Sequence, residues 1–356
     1  MNNQHRPPIL LAAALFTLII GCISCADRTR TVTMRALQPA VITFPSSVDS
    51  LVVVDRTVFD QNNLNILEGV LTGELPHEDK AGVQMLISSF QNQIQQSPRF
   101  NVKIAEERLN GNSMTAAFPD QLSWDQINEL CNKYQADAVV AIEIFDTDFI
   151  ITHGTRSKPT KKTVDGVATT VNVTEYYAQG VGNITIGLKL YDPQAQSIID
   201  QEYFQRTKTW TATGVNTADA LAKLVSKGQA TQYLGRLVGE NYAKKITPSY
   251  YNITRGFKAK SKKCPQLEQG TRYADVAKWE EAANVWKQGL QSAPTKEAGY
   301  LSQNIAIANE VLGNMQEAVN WAEKSYIQYG NKDARDYASR LKRRMRDQAR
   351  VNEQLN

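Results

Sequence analysis

Acidic and basic side chains that follow predicted strands are the first candidates for chemistry in this sequence. Asp55 and Arg56 directly follow the run Leu51-Val52-Val53-Val54, and Asp146 and Asp148 follow a second strand-like run. Ligand sites in open α/β sheets gather outside the carboxyl ends of the strands. These four charged residues are therefore candidate ligand contacts, with Asp55 the best placed. The alternative, which we favour, is a turn that ends the strand and holds a local ion pair.

The sequence lacks the residue patterns typical of catalysis or of cofactor binding. Its three histidines, His5, His77 and His153, lie far apart, and no zinc-ligand spacing occurs. Gly180-Val181-Gly182 lacks the third glycine of a dinucleotide fingerprint, and there is no Gly-x-Ser-x-Gly elbow. We therefore expect no enzymatic activity, no cofactor and no bound metal. A metal or acid/base cluster at His77-Glu78-Asp79 is the alternative to an ordinary helix start there.

Cys22 ends an apolar run, residues 9–21, that follows a polar and basic start. Ile19-Ile20-Gly21-Cys22 places an aliphatic side chain three positions before the cysteine and a small residue directly before it. This spacing resembles the lipobox of bacterial lipoproteins, whose cysteine is acylated and becomes the mature N-terminus. The apolar run is shorter than the roughly 20 residues that a spanning helix needs. Residues 1–21 are therefore predicted to be a signal peptide and Cys22 the lipidated residue; an uncleaved anchor and acylation at Cys25 are the alternatives.

The predicted lipid also indicates where the protein resides. Several acyl chains on Cys22 give stable anchoring to a membrane. No acidic cluster follows in Ile23-Ser24-Cys25-Ala26-Asp27-Arg28, so a signal for surface display is missing. We expect a lipid-anchored protein in the cell envelope of a Gram-negative bacterium, at the outer membrane and facing the periplasm. Residues 22–48, which contain Pro39 and Pro45, are predicted to form an extended tether.

The composition is that of a folded chain with two domains. The 356 residues are 42% hydrophobic and 21% charged, which suffices for a hydrophobic core. The net charge of +4 is too small to indicate a nucleic-acid partner. Cys25, Cys131 and Cys264 are widely separated and odd in number, so no disulfide framework is expected. A bridge from Cys25 or Cys264 stays open in an oxidising compartment, and Cys131 is predicted to be a core residue.

Residues 49–250 are predicted to form an α/β domain with a mixed sheet. Leu51-Val52-Val53-Val54, bounded by polar residues, is typical of a strand that is buried on both faces. The elements that follow are a helix over residues 78–96, a strand over 99–105, a helix from Ser123 and a strand over 136–145. This order, β-α-β-α-β, precedes a segment without helix, residues 149–208, whose alternation indicates an antiparallel meander. A helix over residues 219–245 ends the domain.

Residues 258–356 are predicted to form helical hairpins like those of tetratricopeptide repeats, after a basic linker at 258–263. Lys278-Trp279-Glu280-Glu281-Ala282 and Asn314-Met315-Gln316-Glu317-Ala318 match at an offset of 36 residues, near the family period of about 34. Small and bulky residues recur at the spacing of such repeats: Gly270, Tyr273, Ala282, Trp286, Gly289 and Pro294. Because two repeats are fewer than the roughly three that stability needs, a closing helix over 333–354 is predicted to be a cap.

Several of these segments together resemble a known family. Arg99-Phe100-Asn101-Val102, Leu122-Ser123-Trp124-Asp125 and the run Ala136-Asp137-Ala138-Val139-Val140-Ala141-Ile142-Glu143 are followed by the meander. The order resembles the α/β domain of Bacteroidota-type lipoproteins that carry C-terminal tetratricopeptide repeats, and it is more distantly similar to the TolB amino-terminal region. Leu37-Gln38-Pro39-Ala40 also fits the family. The resemblance implies an envelope lipoprotein over nearly the whole mature chain and names no catalytic residue.

The closing helix carries a series of basic side chains: Arg340, Lys342, Arg343, Arg344, Arg346 and Arg350. One interpretation is an electrostatic contact with an anionic lipid or polymer. The other, which we favour, is a solvated capping helix, because terminal repeats need a polar outer face.

The leading interpretation of function is a non-enzymatic envelope lipoprotein that serves as a protein-binding scaffold or adaptor. Helical arrays present extended concave surfaces, so Trp279, Asn304 and Asn309 are predicted partner contacts. The alternative is a lipoprotein that binds a small ligand or glycan at the strand ends near Asp55. A hydrolase with an unrecognised site is a third interpretation.

Overall fold

The computed structural model describes residues 29–57, 78–111, 117–164 and 167–355. The chain divides into two compact units. An α/β unit comprises Pro39–Ser249 and the last residues of the chain, and a helical unit comprises Tyr250–Asn352 together with a strand before Pro39. Within the described ranges, no helix has the length and apolar character needed to cross a membrane.

The α/β unit contains a mixed five-stranded sheet. Its strands are β2 (Ser50–Asp55), β3 (Asn101–Arg108), β4 (Ala138–Val164), β5 (Val167–Asp192) and β6 (Ser197–Gly214), in the spatial order β3-β2-β4-β5-β6. β2 is parallel to both β3 and β4, whereas β4, β5 and β6 are antiparallel to one another. The predicted mixed α/β class, with helices at the C-terminal end, is therefore confirmed.

Helices cover both faces of this sheet, which explains the continuous apolar run in β2. The helices of the unit are α1 (Glu78–Gln95), α2 (Trp124–Tyr134), α3 (Thr217–Ala222) and α4 (Lys227–Ile246). Leu51 and Val53 join a core with α1 and α4, whereas Val52 and Val54 join a second core with α2. All four side chains are at most 1% exposed, so β2 has no polar face to present.

One helix was predicted over residues 219–245, and the structure has two, α3 and α4. The chain leaves helical geometry between them, and α4 starts anew at Ser226, whose side chain forms a reciprocal capping box with Gln229. A glycine later in α4 has a packing role: a Cβ on Gly239 would lie 2.3 Å from the Leu86 carbonyl oxygen of α1. The glycine that lowers helix propensity thus allows two backbones to approach closely.

The antiparallel meander predicted over residues 149–208 reaches farther, from Val139 in β4 to Gly214 in β6. β4 and β5 pair from Val139 with Tyr191 to Val164 with Val167, with one register shift between Ile142 and Ile144. The pairing of β6 with β5 ends at Gly214 with Tyr176. Residues 156–164 of β4 and 167–175 of β5 therefore pair only with each other and form a two-stranded ribbon. The polar segment from Lys158 to Val164 is part of this ribbon. Residues 165–166, between the two strands, lie outside the described residues.

The helical unit consists of consecutive antiparallel hairpins and a long last helix. Its helices are α5 (Pro265–Asp275), α6 (Trp279–Gly289), α7 (Thr295–Val311), α8 (Met315–Ile327) and α9 (Lys332–Leu355). Small side chains belong to the core between these helices: Ala282, Ala306, Ala318 and Ala322 are all completely buried. Trp286, also completely buried, packs against Gly270, where a Cβ would lie 2.3 Å from the indole nitrogen.

The predicted tether over residues 22–48 is wrong for its described part. Strand β1 (Thr29–Gln38) pairs with β7 (Ser249–Lys258) in a two-stranded sheet that belongs to the helical unit. After it, Phe44 and Val48 are buried in the core of the α/β unit. The helical unit therefore begins at Tyr250, inside β7, and the predicted boundary at residue 258 lies too far along the chain. Residues 22–28 lie outside the described residues.

Candidate functional site

The charged residues proposed at the strand ends do not form one site. The Asp55 carboxylate accepts hydrogen bonds from Thr57 and pairs with the Arg108 guanidinium at 2.7 Å. β2 accompanies β4 only to Ile142, and at about 3.3 Å per residue Asp146 and Asp148 lie roughly 13 and 20 Å farther along β4. Asp146 and Asp148 therefore do not join Asp55 in a common site, and the favoured alternative, a turn with a local ion pair, describes Asp55.

Arg56 has a structural role inside the α/β unit. Its side chain is 4% exposed and pairs with the completely buried Glu143 carboxylate at 2.6 Å. The Tyr191 hydroxyl donates to the other oxygen of Glu143 at 3.0 Å. Burial, reinforced by the negative charge of Glu143, raises the pKa of Tyr191 well above its ordinary value. The Arg56 guanidinium also donates to the Asp120 carbonyl at 3.2 Å, while its buried Nε has no partner among the described residues. Because the side chain is enclosed by Glu143 and Asp120, Arg56 is not a contact for an external ligand.

The three predicted partner contacts are buried as well, so the prediction of an exposed partner surface at these side chains is wrong. Trp279 is 9% exposed, Asn304 1% and Asn309 8%. Asn309 donates to the Ile305 carbonyl of its own helix at 2.8 Å. Asn304 donates to the Lys258 carbonyl at 2.7 Å and accepts the Lys258 amide at 3.0 Å. Asn304 thus binds extended backbone, but that backbone belongs to the same chain.

Strand β7 occupies the surface of the helical array on which a partner was expected. Phe257 packs edge-on against Trp279, with 5.8 Å between ring centroids, and against Trp286 at 5.9 Å. Arg255 forms two hydrogen bonds, 2.8 and 2.9 Å, with the Glu310 carboxylate of α7. Together with the Asn304 contact, these interactions fix the side chains and the backbone of β7. The expected protein-binding groove is therefore filled by a segment of this chain.

A cleft of about 290 Å³ lies beside this filled groove, and we call it the arginine cleft. It is lined by one strand segment and one helix face: Tyr251, Asn252, Ile253, Thr254 and Arg255 of β7, and Arg340, Arg343, Arg344 and Asp347 of α9. Side chains alternate along β7, so Tyr251, Ile253 and Arg255 are more buried than their neighbours. On α9, Arg340, Arg343 and Asp347 follow at steps of three and four, which places them on one face.

Glu310 fixes the inner arginines of the cleft. Its side chain is completely buried and binds Arg255, Arg344 at 2.5 Å and the Tyr337 hydroxyl at 2.7 Å. Burial alone would raise the pKa of Glu310, but the hydrogen bonds from Arg255, Tyr337 and Arg344 outweigh it and lower the pKa. Burial and the adjacent carboxylate raise the pKa of Tyr337. Glu310 is therefore an anion that holds two guanidinium groups in place.

The outer arginines, Arg340 and Arg343, are exposed. Across the part of the chain that the structure describes, neither forms an ion pair with a carboxylate. The four arginines of the cleft face two carboxylates, Glu310 and Asp347, which leaves an excess of two positive charges. Planar guanidinium groups bind carboxylate and phosphate oxygens in pairs. The arginine cleft is thus chemically suited to an anionic group.

The basic residues predicted on the closing helix divide between this cleft and other surroundings. Arg340, Arg343 and Arg344 line the cleft, whereas Lys342 pairs with Glu323 at 2.6 Å. Arg346 is exposed outside the cleft lining. Arg255, which also lines the cleft, was not among the predicted residues. The alternation of β7 was the available signal for it, but residues 249–258 had not been assigned to a strand.

The remaining cysteine and histidine predictions have different outcomes. Cys131 and Cys264 are free and buried, and burial raises the pKa of the Cys131 thiol to about 11. Cys22, Cys25 and His77 lie outside the described residues. Among the residues that are described, no group of three or more His, Cys, Asp or Glu side chains could hold a metal ion.

Comparison with protein families gives two matches. A domain of unknown function, DUF8603, matches residues 48–257, and a second one, DUF6340, matches residues 268–344. No curated protein matches the chain.

Solved structures resemble the chain only weakly, each at 12% identity. The PelC dodecamer from Paraburkholderia phytofirmans has a TM-score of 0.26, over 61% of this chain and 99% of that chain. TolB from Acinetobacter baumannii has a TM-score of 0.20, over 60% and 30%. A putative neuraminyllactose-binding hemagglutinin homolog from Helicobacter pylori has a TM-score of 0.24, over 58% and 86%. At TM-scores this low, neither fold nor function follows from these similarities.

Proposed function

The chain belongs to the family of the domain of unknown function DUF8603, and we propose that it is a non-enzymatic, lipid-anchored protein of the bacterial cell envelope. It serves as a scaffold, and its helical unit binds a protein partner. The lipid is on Cys22, and the protein faces the periplasm from the outer membrane. This proposal keeps the kinship with Bacteroidota-type lipoproteins that the sequence motifs implied.

We also propose that the helical unit is an array of the tetratricopeptide type. Two consecutive hairpins, α5–α6 and α7–α8, are followed by the long helix α9. The close contact of Gly270 with Trp286 and the buried alanines support the proposal, because such repeats place small residues where their helices approach. The surface expected to bind a partner in such an array is occupied here by β7, so the partner must use another surface.

The arginine cleft is the observation on which the scaffold proposal rests. Arg340 and Arg343 present two charged forks beside a pair of arginines that Glu310 fixes in position. Glu310 already holds Arg255 and Arg344 in place. Binding of an anion therefore costs less side-chain entropy than it would with mobile arginines. An acidic segment of a partner protein fits this arrangement, since its carboxylates would complete the ion pairs. The strand ends near Asp55 offer no comparable group, because Asp55 and Arg56 are already paired.

The cleft is tested with the full mature chain and a fluorescent peptide of alternating Glu and Gly residues. The double variant Arg340→Gln/Arg343→Gln is compared with Lys161→Gln/Lys162→Gln, which removes the same charge from the exposed β4–β5 ribbon. Two charge-assisted contacts contribute roughly 1.5–3 kcal/mol each when formed away from water, and less at this open edge. We expect the cleft variant to raise the Kd at least tenfold, and the ribbon variant to leave it within twofold. Equal losses in both variants would refute a specific site.

The lipid anchor is tested separately, by acyl labelling in cells. Wild-type protein should incorporate a fatty-acid label and fractionate with membranes. Cys22→Ala should lose both properties, whereas Cys25→Ala should keep them. Labelling that persists in Cys22→Ala would refute the anchor at this residue without affecting the peptide measurement.

A further inference from the structure

A series of lysines begins at the last residue of β7 and is not part of the arginine cleft. Lys258, Lys260, Lys262 and Lys263 lie within six residues, and we call them the lysine run. Between them, Ala259 is 4% exposed and Cys264, which follows, is 1% exposed. Lys262 and Lys263 are exposed, and Lys258 and Lys260 are half-buried. The apolar positions of this segment thus face the helical core while its outermost lysines face solvent.

The backbone of the run is held in place. The Ser261 hydroxyl donates to the buried Glu297 carboxylate at 3.0 Å, and Ser261 forms an isolated β-bridge with Cys264. The Ser261 hydroxyl also accepts the Lys263 amide at 3.3 Å. Asn304 binds both backbone groups of Lys258. Because these contacts already order the backbone, an anion that binds Lys262 and Lys263 does not have to pay the entropic cost of ordering this segment.

The lysine run lies beside the start of β1. A Cβ on Gly256 would contact the Thr29 methyl group at 3.6 Å and the Arg30 carbonyl oxygen at 3.9 Å, so the last residues of β7 pack against the first residues of β1. Thr29 is only seven positions after Cys22 in the sequence. An extended chain spans at most about 3.6 Å per residue, so the proposed lipid is within roughly 25 Å of Thr29.

We infer that the lysine run is a second membrane contact, which binds the headgroups of anionic phospholipids in the membrane that holds the lipid of Cys22. The inference rests on the proposed lipid anchor, since the anchor brings the lysines to that surface. An acyl anchor together with a cluster of basic side chains is a known physical route to stable attachment. The two contacts together would orient the helical unit on the membrane.

The chemistry of the run favours headgroups over an acidic protein segment. A lysine ammonium is a compact point charge on a flexible stem, and it lacks the planar fork with which arginine recognises individual carboxylates. Exposed lysines on one ordered segment suit a diffuse layer of negative charge such as a leaflet surface. The arginine cleft, with its volume and its fixed guanidinium groups, suits a specific anion. The helical unit thus carries two basic surfaces with different partners.

The test uses the full mature chain with Cys22→Ser, so that binding by lipid cannot hide binding by charge. Sedimentation with vesicles of phosphatidylcholine, alone or with a quarter phosphatidylglycerol, gives the partition coefficient at low salt. Lys262→Gln/Lys263→Gln is compared with the ribbon variant Lys161→Gln/Lys162→Gln. At about fivefold per lysine near an anionic surface, we expect the partition coefficient to fall about 30-fold in the first variant and less than twofold in the second. Lys262→Glu/Lys263→Glu should abolish binding.

Three results would overturn the inference. One is a partition coefficient that stays within twofold of the parent in Lys262→Gln/Lys263→Gln, and another is equal binding to vesicles without phosphatidylglycerol. The third is a loss of Glu-Gly peptide binding in this variant with no change in vesicle binding, which would assign the run to an acidic protein partner. Acyl labelling of the wild type reports on the anchor by itself, so failure of the anchor and failure of the lysine contact are distinguished.

Discussion

The replacement of Glu310 by glutamine tests how the helical unit holds its strand and its cleft. The buried Glu310 carboxylate accepts from Arg255, Arg344 and Tyr337, and it joins α7 to both β7 and α9. Glutamine keeps the volume and one carbonyl oxygen but removes the charge and places an amide donor next to two guanidinium groups. The two arginines then lose their counter-ion while their side chains remain only 16% and 17% exposed.

The expected loss can be worked from these contacts. Breaking a buried ion pair by removing one partner costs about 3–5 kcal/mol, and a hydrogen bond to a charged group contributes about 1.5–3 kcal/mol. Arg255 and Arg344 keep a small exposed fraction and can turn partly toward water. We therefore expect Glu310→Gln to lower the free energy of unfolding by about 3 kcal/mol at pH 7.

The sign of the pH dependence follows from the lowered pKa of Glu310. In the unfolded chain this carboxyl titrates near its ordinary value of 4.5, whereas in the folded protein it stays ionised to lower pH. A group with a depressed folded pKa stabilises the protein fully above the unfolded pKa, and the stabilisation is lost as the pH falls through the folded pKa. The difference between wild type and Glu310→Gln should thus be constant above about pH 5.5 and shrink below about pH 4.5.

Urea unfolding of the full chain, followed by far-ultraviolet circular dichroism at pH 7 and at pH 4, measures this difference. Glu323→Gln is the matched control, because Glu323 pairs with Lys342 in the same helical unit but is 39% exposed. Exposed pairs contribute at most about 1 kcal/mol. If Glu310→Gln costs no more than Glu323→Gln, or if its cost grows as the pH falls, the account of Glu310 is wrong.

Three further substitutions or modifications test the packing. Gly270→Ala should lower the free energy of unfolding by about 1–3 kcal/mol in urea titrations, because the new methyl group would overlap the buried Trp286; no measurable loss would contradict this packing. Ser123→Ala should cost about 1 kcal/mol in the same assay, since it removes the reciprocal cap with Gln126, and a neutral result would mean that the cap has no net effect. Alkylation by iodoacetamide at pH 8 should leave Cys131 unmodified in the folded chain and modify it in urea, because burial raises the pKa of its thiol to about 11; rapid modification without urea would refute its burial.

Local signals in the sequence predicted much of the α/β unit. The apolar run of β2 has no polar alternation because helices cover both of its faces, so the sequence pattern reports its burial directly. Ser123 and Gln126 form the capping box that their spacing of three indicates. The break between α3 and α4 was missed because the apolar positions keep a helical spacing across it, although Ser226 and Gln229 repeat the same capping signal.

Features that depend on distant pairing could not be read from local patterns. Strand β1 looked like a tether because its partner, β7, follows more than 200 residues later. Asp146 and Asp148 were grouped with Asp55 because β4 was expected to end near residue 145, whereas it continues to Val164. Asn304 was predicted to contact a partner because strand β7 had not been recognised in the sequence. In the structure, its side-chain amide binds the backbone of Lys258 at the end of β7.

The candidate site was predicted only in part for the same reason. The series of basic side chains on the predicted closing helix included Arg340, Arg343 and Arg344, and these residues do line the cleft. Its opposite wall, with Arg255, comes from β7, and the anion beneath it, Glu310, comes from α7. The residues on one face of a helix can be predicted from their spacing in the sequence. A cleft also has a second wall, here β7, whose position depends on tertiary contacts that local patterns do not show.

The pairing of β1 with β7 also sets an order in which the protein can fold. As the chain is synthesised from its N-terminus, β1 is made early, but the strand that pairs with it and the helices that cover it are made last. The α/β unit, Pro39–Ser249, is nearly complete before β7 appears. Until then β1 has an unpaired strand edge, the kind of surface on which chains aggregate. A chain that stops before Tyr250 would therefore carry the complete five-stranded sheet and an unpaired β1, so we expect such fragments to aggregate more readily than the full chain.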